Sequence, residues 1–129
     1  MAPGDQPQVK DLLQVTDELL AWINTLDERT RAQVVDAIDR LAETGPALGR
    51  PLVDSIAHSS IGNLKELRPG SAGRSEVRIL FLFDPWRSAI LLTGGDKSRD
   101  WQGWYRRSIP HAEELYEEYL KEREAEETR

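Results

Sequence analysis

Three short apolar runs within Asn63–Lys97, NLKELRPGSAGRSEVRILFLFDPWRSAILLTGGDK, constrain this chain more than any other feature. Each run has the length of a strand, and the residues between them are turn formers. The spacing predicts a meander: Leu64 to Leu67, a turn at Pro69, Gly70 and Gly73, Glu76 to Phe83, a tight connection at Asp84, Pro85 and Trp86, then Ser88 to Thr93. Period two along the central run sends Val77, Ile79, Phe81 and Phe83 to one face and Arg78, Leu80 and Leu82 to the other. Arg78 therefore sits among leucines, an expensive place for a cation unless a carboxylate or a ligand phosphate meets it.

Two helices precede the meander. Thr16 or Asp17 caps the first, in which Leu19, Ile23 and Leu26 recur at helical spacing with Leu20 and Trp22 widening the stripe. Asp27 caps the second, Glu28 to about Thr44, whose buried stripe is Val34, Ile38, Leu41 and Ala42 and which Gly45-Pro46 stops. Ahead of them Met1–Gln8 reads as a flexible lead-in and Val9–Thr16 as an edge strand. Gly45 to Gly62 reads as a long loop carrying Arg50 and His58, and Gly94-Gly95-Asp96-Lys97 as the turn closing the last strand. A short helical piece, Asp100 to Ser108, follows. Pro110 then opens a final helix with Ala112, Leu115, Tyr116, Tyr119 and Leu120 on its apolar side and an acidic tail over 122–129.

These elements make one α+β domain over residues 1–129, long enough for a single core. The chain has no cysteine, so thiolate chemistry and cysteine metal sites are excluded. No signal-peptide pattern or membrane-length apolar run is present, and the expected location is the cytoplasm. The net charge of −6 is unevenly spread. Residues 1–49 hold 4 Lys/Arg against 9 Asp/Glu, 50–110 hold 10 against 6, and 111–129 hold 3 against 8, so the middle carries +4 between two segments of −5. A local basic surface can attract phosphate because charges beyond about 8 to 10 Å are screened.

No phosphate-binding glycine loop, nucleophile elbow or metal-spaced histidine pair occurs, and His58 and His111 lie 53 positions apart. The expectation is a site with no metal and no cofactor. His58 is a candidate general base, although a lone loop histidine is more often merely solvated. What remains is a set of cations with a tyrosine: Lys65, Arg68, Arg74, Arg78, Lys97, Arg99, Tyr105, Arg106 and Arg107. Such a set suits phosphodiester cleavage, in which fixed cations stabilise charge growing on phosphoryl oxygens and RNA supplies its own 2′-hydroxyl nucleophile. Each member also has a plainer reading: Lys65 and Arg68 as edge cations, Lys97 as a solvated loop tip, Tyr105 as packing beside Trp104.

At NLKELR, VRILFLFDPWRSAILLTGGDK, WYRRSIPHAEELY and GPALGRP the chain resembles the RelE/ParE toxin superfamily, in particular its phage-derived, HigB-like branch. The resemblance runs from about Trp22 to Leu120. It implies two N-terminal helices and a C-terminal helix on a small curved antiparallel sheet. It also implies a type II toxin that cleaves mRNA, usually on the ribosome, and is neutralised by a helix-turn-helix antitoxin, with no membrane partner. By position Arg68, Arg78, Lys97 and Tyr105 match the catalytic residues, with Lys65, Arg74, Arg99 and Arg106 as RNA or phosphate contacts. Two departures stand out. Glu66 occupies the place of a RelE lysine two before the strand arginine, leaving Lys65 shifted by one, and Ser98 follows Lys97 where RelE has an arginine. The rival readings are a ParE-like inhibitor of DNA gyrase and a catalytically silent relative that only binds antitoxin.

Overall fold

The computed structural model describes residues 13–70 and 76–127. In chain order the elements are β1 (Leu13–Val15), α1 (Asp17–Thr25), α2 (Glu28–Thr44), β2 (Val53–Ser55), β3 (Lys65–Leu67), β4 (Val77–Phe83), β5 (Ala89–Asp96) and α3 (Trp101–Glu127). The strands form one five-stranded sheet in the order β1-β5-β4-β3-β2. The meander β3-β4-β5 is antiparallel as expected. The sheet as a whole is mixed, because β1 pairs with β5 in parallel, Leu13 opposite Ala89 and Val15 opposite Leu91. Residues 1–12, which include the expected lead-in and the start of the expected edge strand, lie outside the described residues, as do Gly73 and Arg74.

Capping chemistry sets both N-terminal helices. Thr16 Oγ1 accepts from the Leu19 amide at 3.2 Å and donates to the Leu92 carbonyl at 2.6 Å, so the residue that starts α1 also ties it to β5. The Asp27 carboxylate accepts from both the Thr30 amide (2.8 Å) and its hydroxyl (2.9 Å). Gly45, at φ 69° and ψ −148°, ends α2 in a positive-φ conformation that a glycine adopts without strain.

The period-two reading of β4 divides the core as expected. Val77, Ile79 and Phe81 pack with Leu19 and Ile23 of α1 and Val34, Ala37 and Leu41 of α2, with Trp22 partly buried against them. Leu80 and Leu82 join Ile90, Leu92, Trp104 and Ala112 beneath α3 on the other face. Each fully buried large side chain contributes about 1.5 to 3 kcal/mol through burial.

The structure corrects three local expectations. Gly94 and Gly95 do not form a turn but continue β5, because helices press on them from both faces: a Cβ on Gly94 would come within 2.8 Å of the Trp22 ring, and one on Gly95 would meet Trp104 Nε1. A bulge at Leu92, left over when Leu80 pairs with Thr93 and Phe81 with Leu91, shifts the alternation by one, so that Gly94 faces the α1 layer and Gly95 the α3 layer. The stretch read as loop contains β2, paired with β3, after a 3₁₀ turn at Gly45–Ala47. Finally, α3 is one helix of 27 residues running through Pro110. Pro110 lacks an N–H but its exposed position lets the helix continue around the lost bond, where the sequence suggested a break.

Candidate active site

Glu66 on β3 and Arg68, one residue past its end, are two positions apart and so share a face. Glu66 lies opposite Leu80 and therefore faces α3, and it is only 3% exposed. A buried carboxylate needs partners. It has two: Arg68 donates to Glu66 Oε1 from Nε (2.9 Å) and Nη2 (2.7 Å), while Tyr105 of α3 donates its hydroxyl to Oε2 at 2.6 Å. Arg68 Nη2 also reaches Asp54 of β2 at 3.1 Å, and Asp54 takes Arg50 on its other oxygen at 3.2 Å. Asp54 and Glu66 are direct cross-strand neighbours, which is how β2, β3 and α3 converge on the cluster.

The electrostatics follow from these contacts. Burial opposes the Arg68 charge, but Glu66, with Asp54 and Tyr105 behind it, outweighs that and raises its pKa above the ordinary guanidinium value. Tyr105 is half-buried. Burial, followed by the hydrogen bond to Glu66 and that carboxylate's charge, pushes its pKa well above the usual phenol value, while the neighbouring Arg78 pulls the other way. Tyr105 is thus held protonated at neutral pH.

Arg78 on β4 faces the same layer, opposite Gly95. Its Nη1 donates to the Val77 carbonyl at 2.8 Å, and its guanidinium lies beside the Tyr105 hydroxyl. Lys97 is 8% exposed, paired with Glu76 at 2.7 Å and set 5.3 Å from the centre of the Trp101 ring. That ion pair holds the Glu76 carboxyl below its usual pKa. Arg99 and Arg106 are exposed, Arg106 one position from Tyr105. Lys65 lies opposite Phe81 and so faces the α1/α2 layer, away from Tyr105. Arg74 lies outside the described residues. The structure therefore brings Arg68, Arg78 and Tyr105 together, sets Lys97 and Arg106 at the edge, and leaves Lys65 on the opposite side of the sheet.

A groove of about 500 Å³ opens beside Tyr105, lined among others by His58, Trp101, Arg106, Ile109 and Pro110. His58 is exposed with φ 65°, a left-handed backbone uncommon outside glycine. Glu113 of α3 anchors its loop, accepting from the Ser59 hydroxyl (2.8 Å), the Ser60 amide (2.6 Å) and the Ser60 hydroxyl (2.7 Å), bonds that keep its own pKa low. Among the described residues no group of three or more His, Asp or Glu side chains could hold a metal ion, and no helix is long and apolar enough to cross a membrane.

Residues 21–117 match the model of the phage-derived Gp49-like protein family. The chain belongs to this family. It is 53% identical over 104 residues to a Mycobacterium tuberculosis protein named "Putative toxin HigB2", covering 81% of this chain but only 52% of that protein. It is 50% identical over 99 residues to "Putative toxin HigB3" of the same organism, covering 77% of this chain and 84% of the relative. Its fold is RelE-like. The isolated E. coli RelE toxin superposes with a TM-score of 0.52 at 13% identity, over 76% of this chain and 98% of RelE. The archaeal RelE of a RelE–RelB complex from Pyrococcus horikoshii gives 0.51 at 13% identity, over 67% and 94%.

Glu66 is the residue that sequence reasoning passed over. It entered as a departure from a lysine, yet it is the acceptor that Arg68 and Tyr105 share in the candidate site. The signal was the strand period, which places Glu66 and Arg68 side by side while sending Lys65 away. Chemically, the cluster offers a protonated phenol backed by a carboxylate, with one guanidinium holding that carboxylate and a second beside the phenol.

Proposed function

We propose that this protein is the toxin of a toxin–antitoxin pair and acts as a metal-independent endoribonuclease on mRNA. The observation that carries the reading is the 2.6 Å Tyr105–Glu66 hydrogen bond, set between Arg68 and Arg78 at the edge of an open groove. The substrate's 2′-hydroxyl attacks the adjacent phosphorus, the O2′–P bond forms and the P–O5′ bond breaks, leaving a 2′,3′-cyclic phosphate and a 5′-hydroxyl. Tyr105 accepts the 2′-hydroxyl proton as it passes its own to Glu66, and the return of that proton through Tyr105 serves the departing O5′. Arg78 stabilises the charge on the non-bridging oxygens. Arg68 acts chiefly by holding Glu66, and Lys97 and Arg106 attract the flanking backbone. The RelE-like fold and the HigB relatives support the same reading, with the ribosome as the setting and a helix-turn-helix antitoxin as the natural silencer.

Mapping mRNA 5′ ends by primer extension after induction, alongside a gyrase cleavage assay, tests this. Discrete new ends that vanish in Arg78→Ala are expected, and cleavage should persist in excess chelator on a substrate that needs no magnesium. Trapped gyrase complexes without new RNA ends would replace the ribonuclease with a ParE-like activity.

A further inference from the structure

Trp101 has no part in the proton transfers above. It opens α3 and is 55% exposed, whereas Trp104, one turn on, is 8% exposed. Its ring meets Tyr105 edge to face with centroids 6.1 Å apart, and Lys97 Nζ stands 5.3 Å from its centre. These contacts fix the indole while leaving more than half of it open at the groove mouth. The rest of the groove is mostly apolar, with Ile56, Ala57 and Ile109 in its wall, and its cation is Arg106.

A fixed, exposed aromatic plane, an apolar wall and a neighbouring cation match a nucleobase and its phosphate. Single-stranded nucleic acid is bound in this way, by stacking on aromatic side chains with cations tracking the backbone. The groove's roughly 500 Å³ lies within the range of small-ligand sites. Charge is compatible with the same occupant, since the groove belongs largely to the +4 middle segment and is lined by Arg106, while the carboxylate in its lining, Glu113, is taken up by hydrogen bonds from Ser59 and Ser60. We infer that Trp101 is a stacking platform for one unpaired RNA base, and that it positions the nucleotide beside the phosphodiester that Tyr105 and Arg78 act on. The inference rests on the endoribonuclease reading and names the part of the substrate that the groove takes.

The test separates the two. In a Tyr105→Phe background, in which cutting is slowed, binding of a short single-stranded RNA is measured by fluorescence anisotropy. Adding Trp101→Ala should weaken binding about tenfold, within the range for loss of one stacked base, and Trp101→Phe should restore most of it. Replacing one nucleotide of the RNA with an abasic unit should, at a single position, abolish the difference between chains with and without the Trp101→Ala substitution. Unchanged affinity in Trp101→Ala overturns the platform, as do equal losses in the Ala and Phe variants, which would make Trp101 a prop for Lys97 and Tyr105. A loss of antitoxin affinity alone would make it a protein contact and also overturn it. Cleavage by the otherwise unaltered protein is scored separately: Trp101-dependent binding without cleavage would keep the platform and remove the ribonuclease.

Discussion

Two tyrosines on the same helix each donate to a buried carboxylate at 2.6 Å, yet the two carboxylates are held in different ways. Tyr105 meets Glu66 and Tyr119 meets Asp84. At the Tyr119 end, Asp84 is consumed by the β4–β5 turn, accepting from the Trp86 and Ser88 amides at 2.9 Å each, while Arg123 stacks 4.1 Å from the Trp86 ring. Those partners are backbone donors that fix the shape of a hairpin. At the Tyr105 end the carboxylate is held by the Arg68 side chain instead of by turn amides; a guanidinium stands near both phenols, Arg78 here and Arg123 at 3.5 Å from the Tyr119 hydroxyl, and both tyrosines line a groove. A tyrosine–carboxylate bond becomes a candidate for chemistry through what surrounds it, not through its own geometry.

The sharpest way to break this comparison is to remove each hydroxyl. Tyr105→Phe should lower the rate of RNA cleavage by about 10²- to 10⁴-fold, the usual contribution of a positioned acid–base group, while Tyr119→Phe should stay within about twofold. End-mapping at matched expression reads both. Stability should reverse the ranking of the carboxylates. Asp84→Ala strands two turn amides and a phenol and should cost about 2 to 4 kcal/mol in urea unfolding. Glu66→Ala should cost about 1 to 2 kcal/mol, because Arg68 keeps Asp54 and water can reach Tyr105 from the groove.

A smaller effect should appear in alkali. Burial, then the hydrogen bond to Asp84, pushes the Tyr119 pKa up to about 12. A phenol whose folded pKa exceeds its unfolded value of about 10 favours the fold below that value, and the contribution is lost as pH rises through the folded one. Stability should therefore decline from about pH 10 toward 12, and Tyr119→Phe should flatten that limb. Tyr105, also raised, adds to the decline in the same direction. The smallest expected change is in Glu113→Gln, which should speed hydrogen exchange at Ser60 and Ile61 while altering global stability by less than about 1 kcal/mol.

The sequence carried the meander and both N-terminal caps because their signals are local: Asp84-Pro85-Trp86 makes a turn, and Thr16 and Asp27 stand just before an apolar stripe. β2 is three residues long and cannot display a period, so only its pairing with β3 reveals it. Gly94-Gly95 looked like a turn because the pressure that requires glycine there comes from Trp22 and Trp104, distant in the chain. Of the candidate site, Arg68, Arg78 and Tyr105 are readable in the sequence and lie together, whereas the place of Glu66 follows from its own neighbour Arg68 and not from the lysine of RelE.

The parallel pairing of β1 with β5 has a consequence in time. Thr16 and Leu92 are 76 residues apart, so the first described strand is synthesised long before the strand it joins. On the ribosome α1 and α2 can form early from local contacts, but β1 must wait for β5, and Tyr105 is made later still. A nascent chain therefore holds Arg68 and Arg78 before it can close the hydrogen bond between Tyr105 and Glu66.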